Sequence, residues 1–180
     1  FLEYQPIFWV RTQAIIGVES LVRWHHPEQG VLPPAKFIPV AEKTGLIIPL
    51  GWWILEESCR QLKAWQDTLT NAEKLFVSVN MSSKQFAQTD VLDRIKGILK
   101  TTGLAATALK IEITESVLIE NSSSIIEILQ AIRDLGIKLS VDDFGTGYSS
   151  LSYLHKFPVD TLKIDRSFLE NADSDFEKLE

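Results

Sequence analysis

The sequence predicts an α/β protein with a mostly parallel sheet, and two observations support this prediction. Short segments rich in Val, Ile and Leu alternate with helical segments of about 8–14 residues, as in βαβ units. Four of these strands place aliphatic side chains on one face and polar ones on the other. Because both faces of a parallel sheet are normally apolar, a polar face favours a (β/α) barrel with a polar interior. The alternative is a two-layer sandwich with one face in water.

The first half of the chain predicts two strands followed by two helices. The expected ranges are strands over 1–8 and 15–24, a proline-rich loop over 27–34, and helices over 35–43 and 50–65. Pro6 cannot donate to a ladder, so the first strand is expected at an edge. Gly45 ends the shorter helix. The apolar positions of the longer helix are Trp53, Ile54, Cys59, Leu62 and Trp65.

The second half alternates strands with helices. Strands are expected over 75–80, 109–114, 137–142 and 159–165. One helix begins after the cap Asp90 and ends at Gly103. The next is capped by Asn121 or a nearby Ser and ends at Gly136, and a short helix is expected over 149–155.

The polar strand faces end in side chains that resemble ligands more than generic solvated groups. Strand by strand, these faces carry Phe76, Ser78 and Asn80; Lys110, Glu112 and Thr114; Lys138, Ser140 and Asp142; Thr161, Lys163 and Asp165. The ligand-like residues at their ends are Asn80, Glu112, Asp142 and Lys163. Lys110 and Lys138 are expected to fill the barrel floor as ion-pair partners.

A set of oxygen-bearing residues indicates a metal site. Its members are Glu19, Asn80, Glu112, Asp142 and Asp143. Hard oxygen donors without paired Cys or His suit Mg²⁺ or Mn²⁺. The adjacent carboxylates of Asp142 and Asp143 would repel each other unless cations neutralised them. They can share one ion or bind two ions about 4 Å apart, the arrangement suited to in-line phosphoryl displacement. Lys163 then fits beside an attacking water, and Arg23 can clamp a phosphate.

Composition limits the class of protein. The 180 residues are 45% hydrophobic and carry a net charge of −6, which argues against a non-specific nucleic-acid binder. The longest apolar stretch is about half of the roughly 20 residues that a membrane span needs. The single Cys59 fits a reducing compartment, so a cytoplasmic location is expected, either for the whole protein or for this part of a membrane-anchored parent. His25, His26 and His155 lack ligand spacing, and surface or capping roles are expected for them.

Seven sequence blocks, in family order and spanning nearly the whole chain, resemble the EAL-domain family. They are Tyr4–Ile7, Gly17–Trp24, Phe37–Glu42, Val79–Ser82, Glu112–Glu115, Asp142–Ser150 and Leu162–Asp165. The resemblance implies a TIM-like (β/α) barrel of the EAL type. It also implies hydrolysis of the bacterial second messenger cyclic di-GMP to linear pGpG with Mg²⁺ or Mn²⁺.

The resemblance also implies residue roles. The implied metal ligands are Glu19, Asn80, Glu112 and Asp142, with Asp143 serving a second ion. Lys163 would orient or activate the water, and Glu115 would anchor a loop near the site. The implied substrate-binding residues are Gln5, Leu21 and Arg23.

The chain departs from the family pattern in two ways. Ser20 replaces the Ala of the family signature, a change expected to be harmless because Ser20 has the opposite parity to Glu19. The sequence predicts six strands, whereas the family barrel has eight and typically needs about 250 residues. We therefore expect residues 1–180 to form a single EAL domain that is incomplete at its C-terminus and lacks a further glutamate. Such a piece is expected to be a poor enzyme and prone to aggregation.

Two competing functions stay open. One is a catalytically silent module that binds cyclic di-GMP, although no expected metal ligand is lost within these residues. The other is a different Mg²⁺ barrel of the enolase type, which lacks its Lys-x-Lys base here. Fusion to sensor or GGDEF-type domains and formation of a homodimer are expected partnerships; contact with a membrane or a nucleic-acid polymer is not.

Overall fold

The computed structural model describes residues 1–115, 117, 123–145 and 157–165. Its strands are β1 (Leu2–Trp9), β2 (Ala14–Val22), β3 (Trp24–His26), β4 (Gly30–Leu32), β5 (Phe76–Asn80), β6 (Leu109–Thr114), β7 (Lys138–Phe144) and β8 (Thr161–Ile164). Its helices are α1 (Pro34–Thr44), α2 (Ile47–Thr68), α3 (Ser83–Phe86), α4 (Val91–Thr102) and α5 (Ser123–Asp134). A 3₁₀ turn at Ala106–Ala108 precedes β6.

The main sheet has the strand order β1-β2-β5-β6-β7-β8. β1 pairs with β2 antiparallel, and every later pair in this sheet is parallel. β1 lies at one end of the sheet, as the proline at position 6 predicts. This curled sheet, with α-helices in the described connections from β2 to β5, β5 to β6 and β6 to β7, is a partial TIM-like barrel and confirms the predicted fold class.

The hydrophobic core lies between the aliphatic face of the sheet and the helices. From the strands, Val77, Ile111 and Leu139 are fully buried. From α2, α4 and α5, the core receives Leu55, Cys59, Leu62, Val91, Ile95, Leu129 and Ile132. The aliphatic side chains are therefore covered by helices, and the opposite, polar face of the strands is left to form a site.

The structure corrects three expectations in the first half of the chain. The expected loop over 27–34 contains β4, which pairs with β3 as a small hairpin. α2 begins at Ile47, earlier than predicted. Trp53, assigned to the apolar face of this helix, is 42% exposed, whereas the neighbouring Trp52 and Leu55 are buried.

Further differences concern polar side chains. Asp90 precedes α4 as predicted, but its side chain makes no capping bond and instead binds Arg94 Nε at 2.6 Å. Lys138 pairs with Asp160 at 3.2 Å, as expected for the barrel floor. The Lys110 ammonium lies 4.4 Å from the centre of the Phe76 ring, and no ion pair of Lys110 is found among the described residues.

Some predictions lie outside the described residues. These are the helix over 149–155, His155 and the capping residue near position 121. His26 has the predicted local role, because its Nδ1 accepts hydrogen bonds from the backbone N–H groups of Glu28 and Gln29. Within the part of the chain that the structure describes, every helix is too short or too polar to cross a membrane.

Candidate active site

Three carboxylates meet at the C-terminal edge of the parallel sheet. Glu19, Glu112 and Asp142 come from β2, β6 and β7, and each offers an oxygen such that all three lie within 4.8 Å of one another. The carboxyl ends of parallel strands share one edge, so polar residues at those ends converge although the chain separates them widely. The register places Asn80 beside Glu112, and so adds an amide to the same edge.

Glu112 is the buried member of the group, with only 2% of its surface exposed. Its Oε1 accepts a hydrogen bond from Ser78 Oγ at 2.5 Å, and its Oε2 contacts Lys163 Nζ at 2.6 Å. Burial raises the pKa of Glu112, and the hydrogen bonds from Lys163 and Ser78 oppose that rise because they stabilise the ionised form. The carboxylate is thus held by a donor on each oxygen.

Lys163, on β8, contacts all three carboxylates. Its Nζ lies 2.6 Å from Glu112, 3.1 Å from Glu19 and 3.2 Å from Asp142. Burial alone would lower the pKa of Lys163, but the hydrogen bond to Glu112 and the charges of the three carboxylates outweigh burial and raise it. Lys163 is therefore a firmly protonated ammonium at neutral pH.

Asn80 completes the arrangement of donors around Glu19. Its Nδ2 donates a hydrogen bond to Glu19 Oε1 at 3.0 Å. The carbonyl oxygen of the same amide can therefore serve as a neutral ligand for a metal ion. Three carboxylates and an amide, with no sulfur or imidazole among them, match the ligands that Mg²⁺, Mn²⁺ and Ca²⁺ prefer. The residues present therefore fit a divalent metal ion.

Asp143 lies beside this group without belonging to it. Among the described residues, the carboxylates within 4.8 Å of one another include Asp142 and not Asp143. Asp143 has a positive φ of 53°, and its backbone N–H donates to Asp142 Oδ1 at 3.1 Å. Burial, followed by the charges of Asp142 and Asp165, raises the pKa of Asp143. Asp143 therefore lies next to the three-carboxylate group, in a left-handed backbone conformation, and lines the cavity that also reaches Glu112.

Glu115 follows β6 and is buried. Its Oε2 accepts a hydrogen bond from the backbone N–H of Gly145 at 3.1 Å, at the point where the chain leaves β7. Gly145 has a φ of 99°, a conformation that glycine adopts without strain. The contact joins the end of β7 to Glu115, and the loop-anchoring role that the resemblance implies for Glu115 stays a prediction.

The residues predicted to bind substrate lie near the metal-ligand candidates on β1 and β2. Gln5 pairs directly with Glu19 in the antiparallel register. Leu21 lines a cavity of ≈ 400 Å³ that also reaches Asn80 and Glu112. Arg23 stands just beyond β2, where its Nε binds Glu3 at 2.8 Å. Of this predicted set, Leu21 lines the cavity beside Glu112, Gln5 is the strand partner of Glu19, and Arg23 lines a separate cavity with Phe1 and Trp24.

Sequence reasoning assigned no role to three residues that organise this region. Ser78 holds Glu112, and Glu3 holds Arg23. Gln85 is buried, lines the cavity, and accepts hydrogen bonds from the backbone N–H and the hydroxyl of Ser82 through its Oε1. The Ser82–Gln85 spacing is a capping box, a signal that could have predicted α3.

Comparison with known proteins agrees with this geometry. The family model described as "EAL domain" matches residues 1–179. The bifunctional diguanylate cyclase/cyclic di-GMP phosphodiesterase MucR of Pseudomonas aeruginosa is 41% identical over 174 residues, 97% of this chain and 25% of that protein. The cyclic di-GMP phosphodiesterase NbdA of the same organism is 44% identical over 168 residues, 93% of this chain and 21% of that protein. The chain therefore spans between a fifth and a quarter of the length of these two relatives.

Solved structures give the same result. The PaMucR phosphodiesterase in complex with c-di-GMP superposes with a TM-score of 0.91 at 40% identity, covering 98% of this chain and 71% of that one. The EAL enzyme Bd1971, bound to cAMP and cyclic-di-GMP, superposes with a TM-score of 0.92 at 35% identity, covering 98% of this chain and 48% of that chain. With the family model matched over nearly every residue and the strand-end carboxylates in place, this chain belongs to the EAL domain family.

Proposed function

We propose that this chain carries the catalytic site of a metal-dependent phosphodiesterase, which hydrolyses cyclic di-GMP to linear pGpG in bacterial second-messenger signalling. The observation that carries the proposal is the convergence of three carboxylates and a lysine at one sheet edge. The relatives named as cyclic di-GMP phosphodiesterases support the choice of substrate.

Glu19, Asn80, Glu112 and Asp142 would hold Mg²⁺ or Mn²⁺, and Asp143 would serve a second ion. Bound divalent ions would supply charge neutralisation for the phosphate and lower the pKa of a water molecule. Ser78 and Lys163 keep Glu112 oriented through its two oxygens, so that the buried carboxylate is held in place before substrate arrives.

The hydrolysis needs an attacking water, an in-line phosphodiester and a leaving ribose 3′-oxygen. In this step the bond from phosphorus to the water oxygen forms and the bond to the 3′-oxygen breaks; the water gives up a proton and the leaving 3′-oxygen takes one up, so the products are a 5′-phosphate and a 3′-hydroxyl. Lys163 would orient that water and stabilise the charge that develops on phosphate oxygens. Glu115 would act indirectly, by holding the start of the loop after β7.

Substrate would be bound on the β1–β2 side of the site. The guanidinium of Arg23 can contact a phosphate oxygen, with Gln5 nearby beside Glu19. Leu21 would offer an apolar contact in the cavity of ≈ 400 Å³, whose lining includes Pro34, Ala35 and Ile38. An apolar cavity with few polar groups is the usual setting for a nucleobase-sized ligand.

We also propose that the whole chain is one EAL domain and that full turnover needs further strands. In the described part of the chain, β1 and β8 form the two ends of an open sheet, and closing a barrel would require strands between them. Residues 1–180 would then carry the metal ligands, and the further strands would complete the barrel.

A chromatographic assay with cyclic di-GMP and Mn²⁺ tests the proposed function. The 180-residue chain is compared with a chain extended by about 75 residues, to the usual barrel length. We expect pGpG from the extended chain, and its loss on Asp142→Asn but not on Glu127→Gln, an exposed acid of α5. If both chains bind cyclic di-GMP and neither produces pGpG, the silent-receptor function is correct instead.

A further inference from the structure

Lys163 lies where a cation bound by the three carboxylates would lie. Its Nζ is between 2.6 and 3.2 Å from an oxygen of Glu19, Glu112 and Asp142. We propose that this ammonium is the resident cation of the metal-free site, and that it competes with divalent ions for the same carboxylate oxygens. The inference rests on the metal site of the proposed function and adds a role for Lys163 before any substrate is bound.

The hydrogen bonds of the two glutamates explain why the competition is direct. Glu19 Oε1 accepts from Asn80, and Glu112 Oε1 accepts from Ser78. The remaining oxygen of each glutamate, Oε2, is the one that contacts Lys163. Because the other oxygen of each glutamate already accepts a hydrogen bond from a neighbouring strand, Oε2 is the oxygen better placed to bind a metal ion, and an ion bound there would displace Lys163.

Electrostatic repulsion explains why a resident cation is useful. Three carboxylates with oxygens within 4.8 Å of one another, one of them buried, would repel each other and move apart without a counter-charge. The Lys163 ammonium offsets this repulsion and keeps the ligands in a compact arrangement. The site is therefore preorganised for a metal ion, but the Lys163 ammonium must leave the carboxylates before the ion can bind.

The position of Lys163 allows that movement. It lies on β8, which forms the end of the sheet among the described strands. The register between β7 and β8 shifts between Val141 and Phe144, beside Lys163, so the ladder is irregular at this point. A long side chain on an irregular edge strand can reach a second position without a change in the core.

Replacement of Lys163 by Met tests the competition. Mn²⁺ binding to the 180-residue chain is measured by isothermal titration calorimetry without substrate, for wild type, Lys163→Met and Lys96→Met. Lys96→Met removes the same charge from the exposed surface of α4, a helix that packs on the opposite, aliphatic face of the sheet, so it reports the general electrostatic effect. We expect Lys163→Met to bind Mn²⁺ about tenfold more tightly than wild type, and Lys96→Met to change the affinity by less than about twofold.

The outcomes separate this inference from the proposed function. If wild type binds Mn²⁺ and Lys163→Met binds it no more tightly, the proposed competition is wrong, but the proposed metal site is retained. If neither protein binds Mn²⁺, both the metal site and the inference are wrong.

A second measurement uses the wild-type chain and does not depend on the folding of a variant. Acetic anhydride labels lysine side chains at a rate set by their accessibility, and mass spectrometry reports each lysine separately. We expect Mn²⁺ to increase the labelling rate of Lys163 several-fold, because the ion displaces its ammonium from the carboxylates. Lys110 and Lys138 serve as internal references. A Lys163 rate that is unchanged or slower with Mn²⁺ would overturn the proposal.

Discussion

Arg23 is the substrate-binding candidate whose side chain is most restrained by its neighbours. Its Nε binds Glu3 at 2.8 Å and its Nη1 donates to the carbonyl of Val22 at 3.0 Å. These contacts leave Nη2 free for a phosphate oxygen. Glu3 therefore orients Arg23 without occupying the whole guanidinium, and acts as a positioning residue.

Glu3→Gln should raise KM for cyclic di-GMP and leave kcat unchanged. Glu3 is 53% exposed at its side chain, so the ion pair is worth about 0.2–1 kcal/mol and the rise should not exceed about fivefold. The assay is steady-state hydrolysis by the active, extended chain. Glu73→Gln, an exposed acid outside the site, serves as the control and should leave KM unchanged. A fall in kcat at constant KM would show that Glu3 does not act through substrate binding.

The single cysteine should be unreactive in the native chain. Cys59 is completely buried in α2, and burial raises the pKa of its thiol to about 12. Because the thiolate is the reactive form, iodoacetamide at pH 8 should leave Cys59 unmodified for hours and should label it rapidly in urea. Mass spectrometry at timed intervals measures both rates. Rapid labelling without urea would mean that α2 opens easily.

At the scale of the secondary structure, the packing of α3 against α2 depends on Gly51. A Cβ at position 51 would clash with the amide group of Gln85. That amide cannot move aside without cost, because it is buried and accepts hydrogen bonds from the backbone and hydroxyl of Ser82. The glycine therefore makes room for the residue that fixes the chain just after Asn80.

Gly51→Ala should lower the free energy of unfolding by about 1–3 kcal/mol, as expected for overpacking. Gly97→Ala is the matched control, because Gly97 also lies within a helix and a Cβ there would meet nothing within 4 Å. That substitution should be neutral or stabilise the protein by up to about 1 kcal/mol, since alanine is the better helix former. Urea denaturation followed by tryptophan fluorescence compares the two. Equal effects at both positions would contradict the packing argument.

Asp160 connects the start of β8 to β7. Its Oδ2 accepts from the backbone N–H of Leu139 at 3.0 Å, and its Oδ1 contacts Lys138 at 3.2 Å and Arg133 at 3.5 Å. Burial alone would raise the pKa of Asp160, but the hydrogen bonds from Leu139 and Lys138 and the two positive charges outweigh burial and lower it. The ionised carboxylate therefore stabilises the strand that carries Lys163.

Asp160→Asn should lower the free energy of unfolding by about 1 kcal/mol at neutral pH. The folded-state pKa lies below the unfolded value of about 3.9, so the stabilisation is complete above that pH. It is lost as the pH falls through the folded-state value. Thermal melts between pH 3 and 7 should therefore show wild type and variant converging in acid. A stability difference between wild type and Asp160→Asn that stays constant from pH 3 to 7 would exclude the ionised carboxylate as the cause of the stabilisation.

The positions of the main strands could be predicted from the sequence, but the burial of single side chains and the small hairpin could not. Alternation of side chains identifies β5, β6 and β7, because one face is buried under helices and the other is polar. Periodicity could not decide between Trp52 and Trp53, since both are apolar and adjacent. The β3–β4 hairpin was missed because Pro27, Gly30 and Pro34 resemble a loop.

The sequence predicts which residues form the candidate site, but only part of their arrangement in space. The strand-end rule brings Glu112 and Asp142 together from sequence alone. The contact between Glu3 and Arg23 depends on the register of β1 on β2, which alternation does not specify. The three contacts of Lys163 depend on the curvature of the sheet, which emerges only when every strand is in place.

At the scale of the whole molecule, the site is a long-range structure. Lys163 and Glu19 are in contact although 144 residues separate them in sequence, and the other carboxylates come from strands between them in the sheet. A metal ion bound by Glu19, Glu112 and Asp142 would connect β2, β6 and β7. Since the unfolded chain cannot hold these groups together, binding should stabilise the entire sheet and not only its edge.

Mn²⁺ should therefore raise the free energy of unfolding of the chain by RT ln(1 + [L]/Kd), about 2.7 kcal/mol at one hundred times Kd. Urea denaturation in Mn²⁺ and in EDTA measures this difference. Asp142→Asn should abolish the metal-dependent part, because it removes one carboxylate of the three. Glu127→Gln, whose side chain lies on the exposed surface of α5, should keep it. An equal Mn²⁺ effect in wild type and Asp142→Asn would place the ion elsewhere, since a stabilisation that survives loss of a ligand cannot come from that site.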